Sequence, residues 1–533
     1  MHIAPPVGQR NTRGFDSENG MPDQPATPVK RTLDKDLDRF TYVEDATHHV
    51  TKRLVAPGIG LIFLGLAMVF AGIYVLDQPR ATLIFAAVAL AGYMAMNIGA
   101  KDVANNVGAA VGARAITMTQ ALIMAAIFEV LGAAISGGPV INTISTHIVD
   151  TNRIISSGKL AWLMMAALLA AALWINFATW LKAPVSTTHA IVGAVVGAGA
   201  AAVGPELVNW RMLAAISAGW VVTPFLGGAI AASILFFIKS TIIYRDDKLA
   251  AARYWIPILI GLMAGAFSAY LIVQLVPKGA ISGLLNIAIG FGFGVGVITW
   301  LGARPLVAAQ STGLENKNSS LRKLFRLPLI GAAALMSFAH GANDVANAIG
   351  PLAAIVRDIG LGGSLSVVAE TTTRNAPYWV VLIGGCGISV GVLLYGPRLI
   401  RLIGEQITKL NPMRAYCVAT SAALTVIVAA WFGFPVSSTH IAVGAVFGVG
   451  FFREWYTSHS RRRLAYMRGK AEAAGIPWHE ANNTDERNPD EIHRRRLVRR
   501  SHFMTIIAAW AITLPMSAVL AAVVYWVMVA LFI

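Results

Sequence analysis

Two short polar motifs, each present twice inside apolar sequence, hold the side chains best suited to chemistry. The first motif reads MNIGAKDVANNVG at 96–108 and AHGANDVANAIG at 339–350. Its acidic and amide side chains are spaced to share one face of a helix: Asp102 with Asn105, and Asp344 with Asn347. Because a carboxylate in a bilayer core costs about 2.5–3.5 kcal/mol or more, it normally pairs or lines a watery cavity. Two carboxylates at matched positions therefore predict a polar binding site.

The second motif reads APVSTTHAIVGAVVGAG at 183–199 and FPVSSTHIAVGAVFGVG at 434–450. We expect Pro184 and Pro435 in the first turn of a helix, with a hydroxyl triplet at its positive end. Such an end offers N–H and O–H donors to an anion, and a tetrahedral oxyanion has enough acceptors to use them. The two triplets are Ser186, Thr187, Thr188 and Ser437, Ser438, Thr439.

A histidine closes each copy of the second motif. His189 and His440 are candidates for a proton relay or for ordinary packing residues. An intramembrane hydrolase using the Ser and His of one copy is an alternative, because their spacing brings hydroxyl and imidazole together on a helix. An enzyme gains nothing from a second matched nucleophile, so we predict no catalytic residue.

The composition places these motifs in a polytopic membrane protein. Hydrophobic residues make up 56% of the 533 and charged residues 13%, with mean hydropathy +0.62, whereas soluble domains are about a quarter charged. The apolar stretches are continuous and predict helices, not barrel strands. Cys386 and Cys417 lie within them and indicate neither a disulfide nor a metal site. Glu129 is interpreted as an acid buried in a helix.

Spans of about 20 apolar residues are predicted at 54–76, 81–99, 116–138, 160–181, 211–238, 254–275, 280–302, 327–339, 376–397, 413–434 and 502–530. The net charge of +16 comes from loops beside these spans. Basic loops of this kind set topology, so we predict no nucleic-acid partner.

Charge also predicts the sidedness of the chain. Three basic loops, at 239–253, 303–326 and 453–501, are assigned to the cytoplasm. The loops at 77–80 and 204–210 then face outside. The N-terminal tail is polar, carries no signal peptide, and is placed in the cytoplasm as a disordered segment. The predicted location is the plasma (inner) membrane.

The duplication suggests a domain organisation with a central site. The predicted parts are a tail (1–53), an additional transmembrane helix (54–77), repeat one (81–238), a connecting segment with two transmembrane helices (239–326), and repeat two (327–530) with its loop 453–501. Repeat one enters from outside and repeat two from inside, so the repeats are inverted. The expected fold is all-α, with broken or re-entrant helices around a site shared by both repeats.

GANDVANA at 341–348 and PVSSTH at 435–440 resemble the duplicated signatures of the inorganic phosphate transporter (PiT) family. The resemblance implies carriage of phosphate with sodium or protons, no resident cofactor, and a homodimer. It also implies that oxyanion and cation are contacted by Asp102, Asn105, Ser186, Thr187, Thr188, Asp344, Asn347, Ser437, Ser438 and Thr439. A bound sodium ion would lie at Asn343 and Asp344.

The sequence departs from this pattern at one position. Repeat two has Asn343-Asp344, whereas repeat one has Lys101-Asp102. An amide oxygen can ligate sodium, but an ammonium has donors only. We therefore expect Lys101 to balance charge in place of a cation, to lose its proton during the transport cycle because burial can depress the pKa of a lysine, or to point away from the site. We favour protons modestly over sodium as the coupling ion.

Other functions remain open at this stage. Sulfate or another oxyanion suits the same hydroxyl donors, although acidic acceptors favour a substrate that still carries a proton, as phosphate does. A sensor or scaffold that uses the 453–501 loop is a further alternative. The sequence has no GxxxxGK[ST] phosphate loop, so energy must come from an ion gradient or from the gradient of the substrate itself.

Overall fold

The computed structural model describes residues 54–532, apart from 79, 151–157, 182, 184, 277–280, 362–375, 407–409 and 474–499. Residues 56–533 form one compact unit. Within the described residues, ten helices are long and apolar enough to cross a membrane, and a bent helix pair at 318–359 raises the number to eleven. The predicted disordered tail, residues 1–53, lies outside the described residues.

The helices in chain order are α1 (Leu54–Val75), α2 (Ala81–Gly112), α3 (Met118–Ser136), α4 (Gly138–Asn142), α5 (Lys159–Trp180), α6 (Thr187–Ala202), α7 (Trp210–Ile238), α8 (Lys248–Leu275), α9 (Leu284–Ser311), α10 (Asn318–Leu324), α11 (Arg326–Asp344), α12 (Ala346–Val356), α13 (Tyr378–Gln406), α14 (Pro412–Trp431), α15 (Ser438–His459), α16 (Arg461–Ala473) and α17 (Arg500–Phe532). Each predicted apolar span overlaps one of these helices, which confirms the all-α membrane fold.

Some predicted boundaries are wrong. The run 81–99 is too short, because α2 continues through the Lys101-Asp102 pair to Gly112. The span at 327–339 also extends further, through α11 and α12, which meet beside Asp344. In the basic segment 453–501, α15 reaches His459 and α16 follows at once, so its first part is helical. Polar residues inside these helices interrupt the hydropathy pattern, so the predicted helices were too short.

The second motif lies at the turn of a helical hairpin in each half. Val149, before α5, forms an isolated β-bridge with Val208, after α6, so both outer ends of the α5–α6 hairpin lie at one end of the molecule. In the other half, Lys239 is within electrostatic range of Arg414, near the start of α14, and of Arg453, near the end of α15. The α14–α15 hairpin therefore also begins and ends on one side. These hairpins bring the hydroxyl triplets into the protein interior.

Glycines of the first motif are positions of very close helix contact. A Cβ at Gly99 on α2 would lie 2.0 Å from the carbonyl oxygen of Ile388 on α13, and one at Gly341 on α11 would lie 2.1 Å from that of Glu129 on α3. Only glycine permits such an approach. The packing is reciprocal, since the motif helix of each half contacts a helix of the other half. Gly99 therefore serves packing inside an unbroken helix.

The glycines after the second motif repeat this reciprocity. A Cβ at Gly197 on α6 would lie 2.0 Å from the Ala518 carbonyl oxygen on α17, and one at Gly448 on α15 would lie 2.1 Å from the Gly228 carbonyl oxygen on α7. Each hairpin is thus held against the last helix of the other half. The interlocked halves fix the two hydroxyl triplets relative to the two carboxylates.

Candidate functional site

The two hydroxyl triplets form helix N-termini in the interior. Ser186 is the N-cap of α6 and Ser437 is the N-cap of α15, and each side-chain oxygen accepts a hydrogen bond at 3.3 Å from the backbone N–H of the motif histidine. Helix N-termini attract anions through free N–H groups and the helix dipole. Pro435 precedes the Ser437 N-cap, so the expectation that it lies inside the first turn is wrong. Pro184 lies outside the described residues.

Hydroxyl groups from both halves converge on the carboxylate of Asp102. Thr187 donates to Oδ2 at 3.1 Å, and Thr439, from the other half, donates to Oδ1 at 2.9 Å. Asn105 donates both to Oδ1 at 3.2 Å and to the Thr439 hydroxyl at 3.0 Å. A buried carboxylate must be satisfied by donors, and these polar side chains supply them.

The environment of Asp344 mirrors that of Asp102 in part. Ser438, at the position equivalent to Thr187, donates to Oδ2 at 2.7 Å. Asn347, equivalent to Asn105, donates to the Thr188 hydroxyl at 3.2 Å. The Asp344 and Asn347 side chains are fully buried, whereas Asn105 and Thr439 are partly exposed. The surroundings of Asp102 are therefore less completely buried than those of Asp344.

The two carboxylates belong to one site. One ligand atom from each of Asp102, His340 and Asp344 lies within 4.8 Å of the others, and all three residues are buried. The structure thus brings both copies of the first motif together with both hydroxyl triplets. Ten residues were predicted to contact the substrate, and each has a described place in or beside this cluster. Their roles as substrate ligands stay predictions.

Lys101 and Asn343 make the same backbone contact in the two halves. The Lys101 ammonium donates to the carbonyl oxygen of Val185, just before the first hydroxyl triplet. The Asn343 amide donates at 2.6 Å to that of Val436, just before the second. The ammonium is also within electrostatic range of Asp102 and Asp344. Lys101 therefore lies in the site, and the alternative that it points away from it is wrong.

Oxygen atoms beside Asn343 make the second half the better candidate for a cation site. The amide NH₂ of Asn343 donates at 2.5 Å to Asp344 Oδ1, besides its contact with Val436 O. Carboxylate, amide and backbone oxygens are the ligands that hard cations prefer. These groups fit the sodium site predicted at Asn343 and Asp344.

A buried polar chain that the sequence analysis missed leads away from Asp344. His340 Nε2 lies 2.8 Å from Asp344 Oδ2, and Nδ1 lies 3.1 Å from Glu129 Oε1. Asn106 donates to the same Glu129 oxygen at 2.7 Å. Glu129 is indeed buried in a helix, as predicted. His340 could have been found, because its position four residues before Asp344 places both side chains on one helix face.

The motif histidines lie in a row of four contacting rings, in which the two imidazoles meet edge to face. The His189 and His440 ring centroids are 4.5 Å apart, and each ring also packs on a tryptophan, Trp220 at 3.9 Å and Trp510 at 3.6 Å. Both imidazoles are buried. These contacts favour a packing role at the contact between the halves. The proton relay stays a prediction.

Comparison with known proteins places the chain in a family. A model of the phosphate transporter family matches residues 98–521. The chain belongs to the phosphate transporter family. This confirms the resemblance carried by the two duplicated motifs, and a family of transporters favours a carrier over the hydrolase alternative.

Individual members of the phosphate transporter family show how far the similarity extends. A Helicobacter pylori (strain J99) protein named "Putative phosphate permease" is 40% identical, over 90% of this chain and 96% of its own length. A Pyrococcus abyssi relative with the same description is 37% identical, over 68% of this chain and 86% of its own. A solved structure titled "The sodium-dependent phosphate transporter" matches with a TM-score of 0.69 and 32% identity, over 85% of this chain and all of that one.

Proposed function

We propose that this protein is a secondary active transporter that moves inorganic phosphate across the plasma membrane by alternating access. The observation that carries the proposal is the meeting of two hydroxyl-bearing helix N-termini, one from each half, at two buried carboxylates. Membership of the phosphate transporter family and the names of the relatives support phosphate as the substrate.

The groups of the site suit an oxyanion that still carries a proton. Backbone N–H groups and the hydroxyls of Thr187, Ser438 and Thr439 can donate to phosphate oxygens. Asp102 and Asp344, which accept these hydroxyls in the structure, can instead accept the P–OH of hydrogen phosphate. Sulfate at neutral pH has no such proton and would place its charge against two carboxylates. The site is therefore expected to select phosphate over sulfate.

Alternating access follows from the duplication. In each half, the first-motif helix and the second-motif hairpin pack on helices of the other half through glycines. If the halves are inverted in the membrane, as the loop charges indicate, each can adopt the arrangement of the other and open the site to the opposite side. The coupling ion is a proton or sodium. The sodium-dependent neighbour supports sodium.

The experiment is uptake of radiolabelled phosphate by proteoliposomes that contain the purified protein. We expect vectorial accumulation, inhibition by arsenate and little inhibition by sulfate. The triple variant Ser437→Ala, Ser438→Ala, Thr439→Ala should lose uptake, because it removes donors without adding charge or bulk. Ser233→Ala is a matched control, since that hydroxyl faces out of the protein and donates to its own helix. Normal uptake by a folded triple variant would contradict the assignment of the site.

The orientation is tested by single cysteines in a variant that lacks the exposed Cys386. A cysteine at Asp77 should react with an impermeant thiol reagent in intact cells, and one at Asn318 only after permeabilisation. Both positions are exposed. The reverse pattern would refute the predicted sidedness.

A further inference from the structure

The two halves of the site handle positive charge differently, although they share one backbone framework. Val185 and Val436 occupy equivalent positions before the hydroxyl triplets, and the carbonyl oxygen of each accepts a hydrogen bond from the residue that precedes the motif aspartate. That residue is Lys101 in the first half and Asn343 in the second. A full positive charge thus stands where its counterpart has a neutral amide.

An amide side chain can offer an oxygen ligand to a cation, whereas an ammonium group cannot. Rotation of the Asn343 side chain exchanges its NH₂ group with its carbonyl oxygen. The oxygen would then join Asp344 Oδ1 and Val436 O, the two atoms that the NH₂ group now bridges. Three oxygens, one of them charged, would then surround a cation. The rotation breaks the two NH₂ hydrogen bonds to these oxygens, which the cation would replace, and the weaker one at 3.3 Å from the Val436 N–H to the amide oxygen.

Lys101 has no such alternative. Its ammonium has three donors and no acceptor, so no rotation provides a ligand for a cation. Its charge already lies beside the Val185 carbonyl and within range of both carboxylates. A sodium ion entering the first half would meet a like charge at short distance, in a setting where such repulsion is poorly screened.

We infer that Lys101 is a tethered cation, which permanently fills in the first half the place that an exchangeable monovalent cation takes in the second half. The protein therefore binds one cation fewer than it would with asparagine in both halves. This inference rests on the proposed coupling to a cation. It adds the number of cations that enter with each phosphate. A tethered charge does not leave with the substrate. Each phosphate therefore enters with one sodium ion fewer than it would if both halves had asparagine.

The test counts bound sodium on the full-length protein in detergent, without phosphate, by equilibrium binding of radioactive sodium. Wild type should bind sodium, and Lys101→Asn should bind one ion more per protein. Asn343→Lys is the mirror variant and should bind one ion fewer than wild type. The double variant Lys101→Asn/Asn343→Lys moves the lysine to the other half and should return to the wild-type count. Thermal unfolding identifies folded variants.

Equal sodium counts for wild type and folded Lys101→Asn overturn the inference, as does a wild type that binds no sodium. A raised count in Lys101→Asn together with a restored count in the double variant supports it, even if Asn343→Lys alone does not fold. In proteoliposomes, initial phosphate uptake by Lys101→Asn should also depend more steeply on sodium than uptake by wild type. Because sodium is counted without phosphate, the result is separate from the proposed function, which fails only if wild type does not accumulate phosphate.

Discussion

The two halves of the site carry the same motifs, but their carboxylates have different surroundings. Asp344 continues into the chain His340, Glu129 and Asn106, which is buried and polar. The equivalent positions around Asp102 are Ile98, Ile388 and Ala348, which are buried and apolar. The half without this chain carries Lys101 instead. The first-motif helix thus contributes a lysine to the site in the first half and a histidine in the second half.

This difference shows which parts of a duplicated site must stay equal. The hydroxyl donors and the close glycines are kept in both halves. Reciprocal packing requires the glycines, and in the proposed function both N-termini approach one phosphate. The charges need only balance over the whole site, so one half can lose an exchangeable cation if it gains a fixed one.

The largest effect is expected at His340. Replacing it with alanine leaves the carboxylates of Glu129 and Asp344 buried without the imidazole between them. Removing one partner of a buried ion pair costs about 3–5 kcal/mol, and phosphate uptake should be lost as well. Unfolding of the purified protein measures the stability. Ile98→Val, at the equivalent position of the other half, should cost only about 0.5–1.5 kcal/mol.

A second change sharpens this result. Adding Glu129→Gln to His340→Ala removes one of the two uncompensated carboxylates, so the double variant should be more stable than His340→Ala alone. If the two substitutions are simply additive, the imidazole does not act by bridging these carboxylates.

The next effect tests the part of the architecture in which the halves are equal. Gly197→Ala and Gly448→Ala each drive a methyl group to 2.0–2.1 Å from a backbone oxygen of the other half. Overpacking of this kind costs about 1–3 kcal/mol, and both variants should lose similar stability in thermal unfolding. Gly294→Ala is the control, because its Cβ would have no neighbour within 4 Å. Its stability should stay equal or rise slightly, since alanine favours a helix. A large effect at only one of the two glycines would contradict reciprocal packing.

The smallest effect concerns the row of four rings. Trp220 Nε1 donates to the Pro435 carbonyl oxygen at 2.8 Å, whereas Trp510 Nε1 has no partner among the described residues. Trp220→Phe should therefore cost about 0.5–1.5 kcal/mol for the lost hydrogen bond, and Trp510→Phe less. Comparable losses in thermal unfolding would mean that both tryptophans stabilise the protein through ring contact with the histidines, and that this hydrogen bond adds nothing measurable.

Local residue types made much of the molecule predictable. Long apolar runs must become helices in a bilayer, so every predicted span overlaps a helix. Polar residues repeated inside them had to share a site, and Asp102, Asp344, Thr187 and Ser438 do lie together. The ends of α2 and α11 were missed, because the polar residues that form the site interrupt the hydropathy pattern.

The membrane fold, the duplication and the hydroxyl and carboxylate groups of the site were predictable, because they follow from hydropathy and from matched residue types. The contacts among these groups are set by the tertiary structure. It paired His340 on α11 with Glu129 on α3 and gave Lys101 the same kind of carbonyl contact as Asn343. It also placed His189 and His440 edge to face in a row of four rings. Such contacts depend on how helices that are distant in sequence cross. Glycines let these helices approach closely, but the sequence does not reveal which helix each glycine contacts.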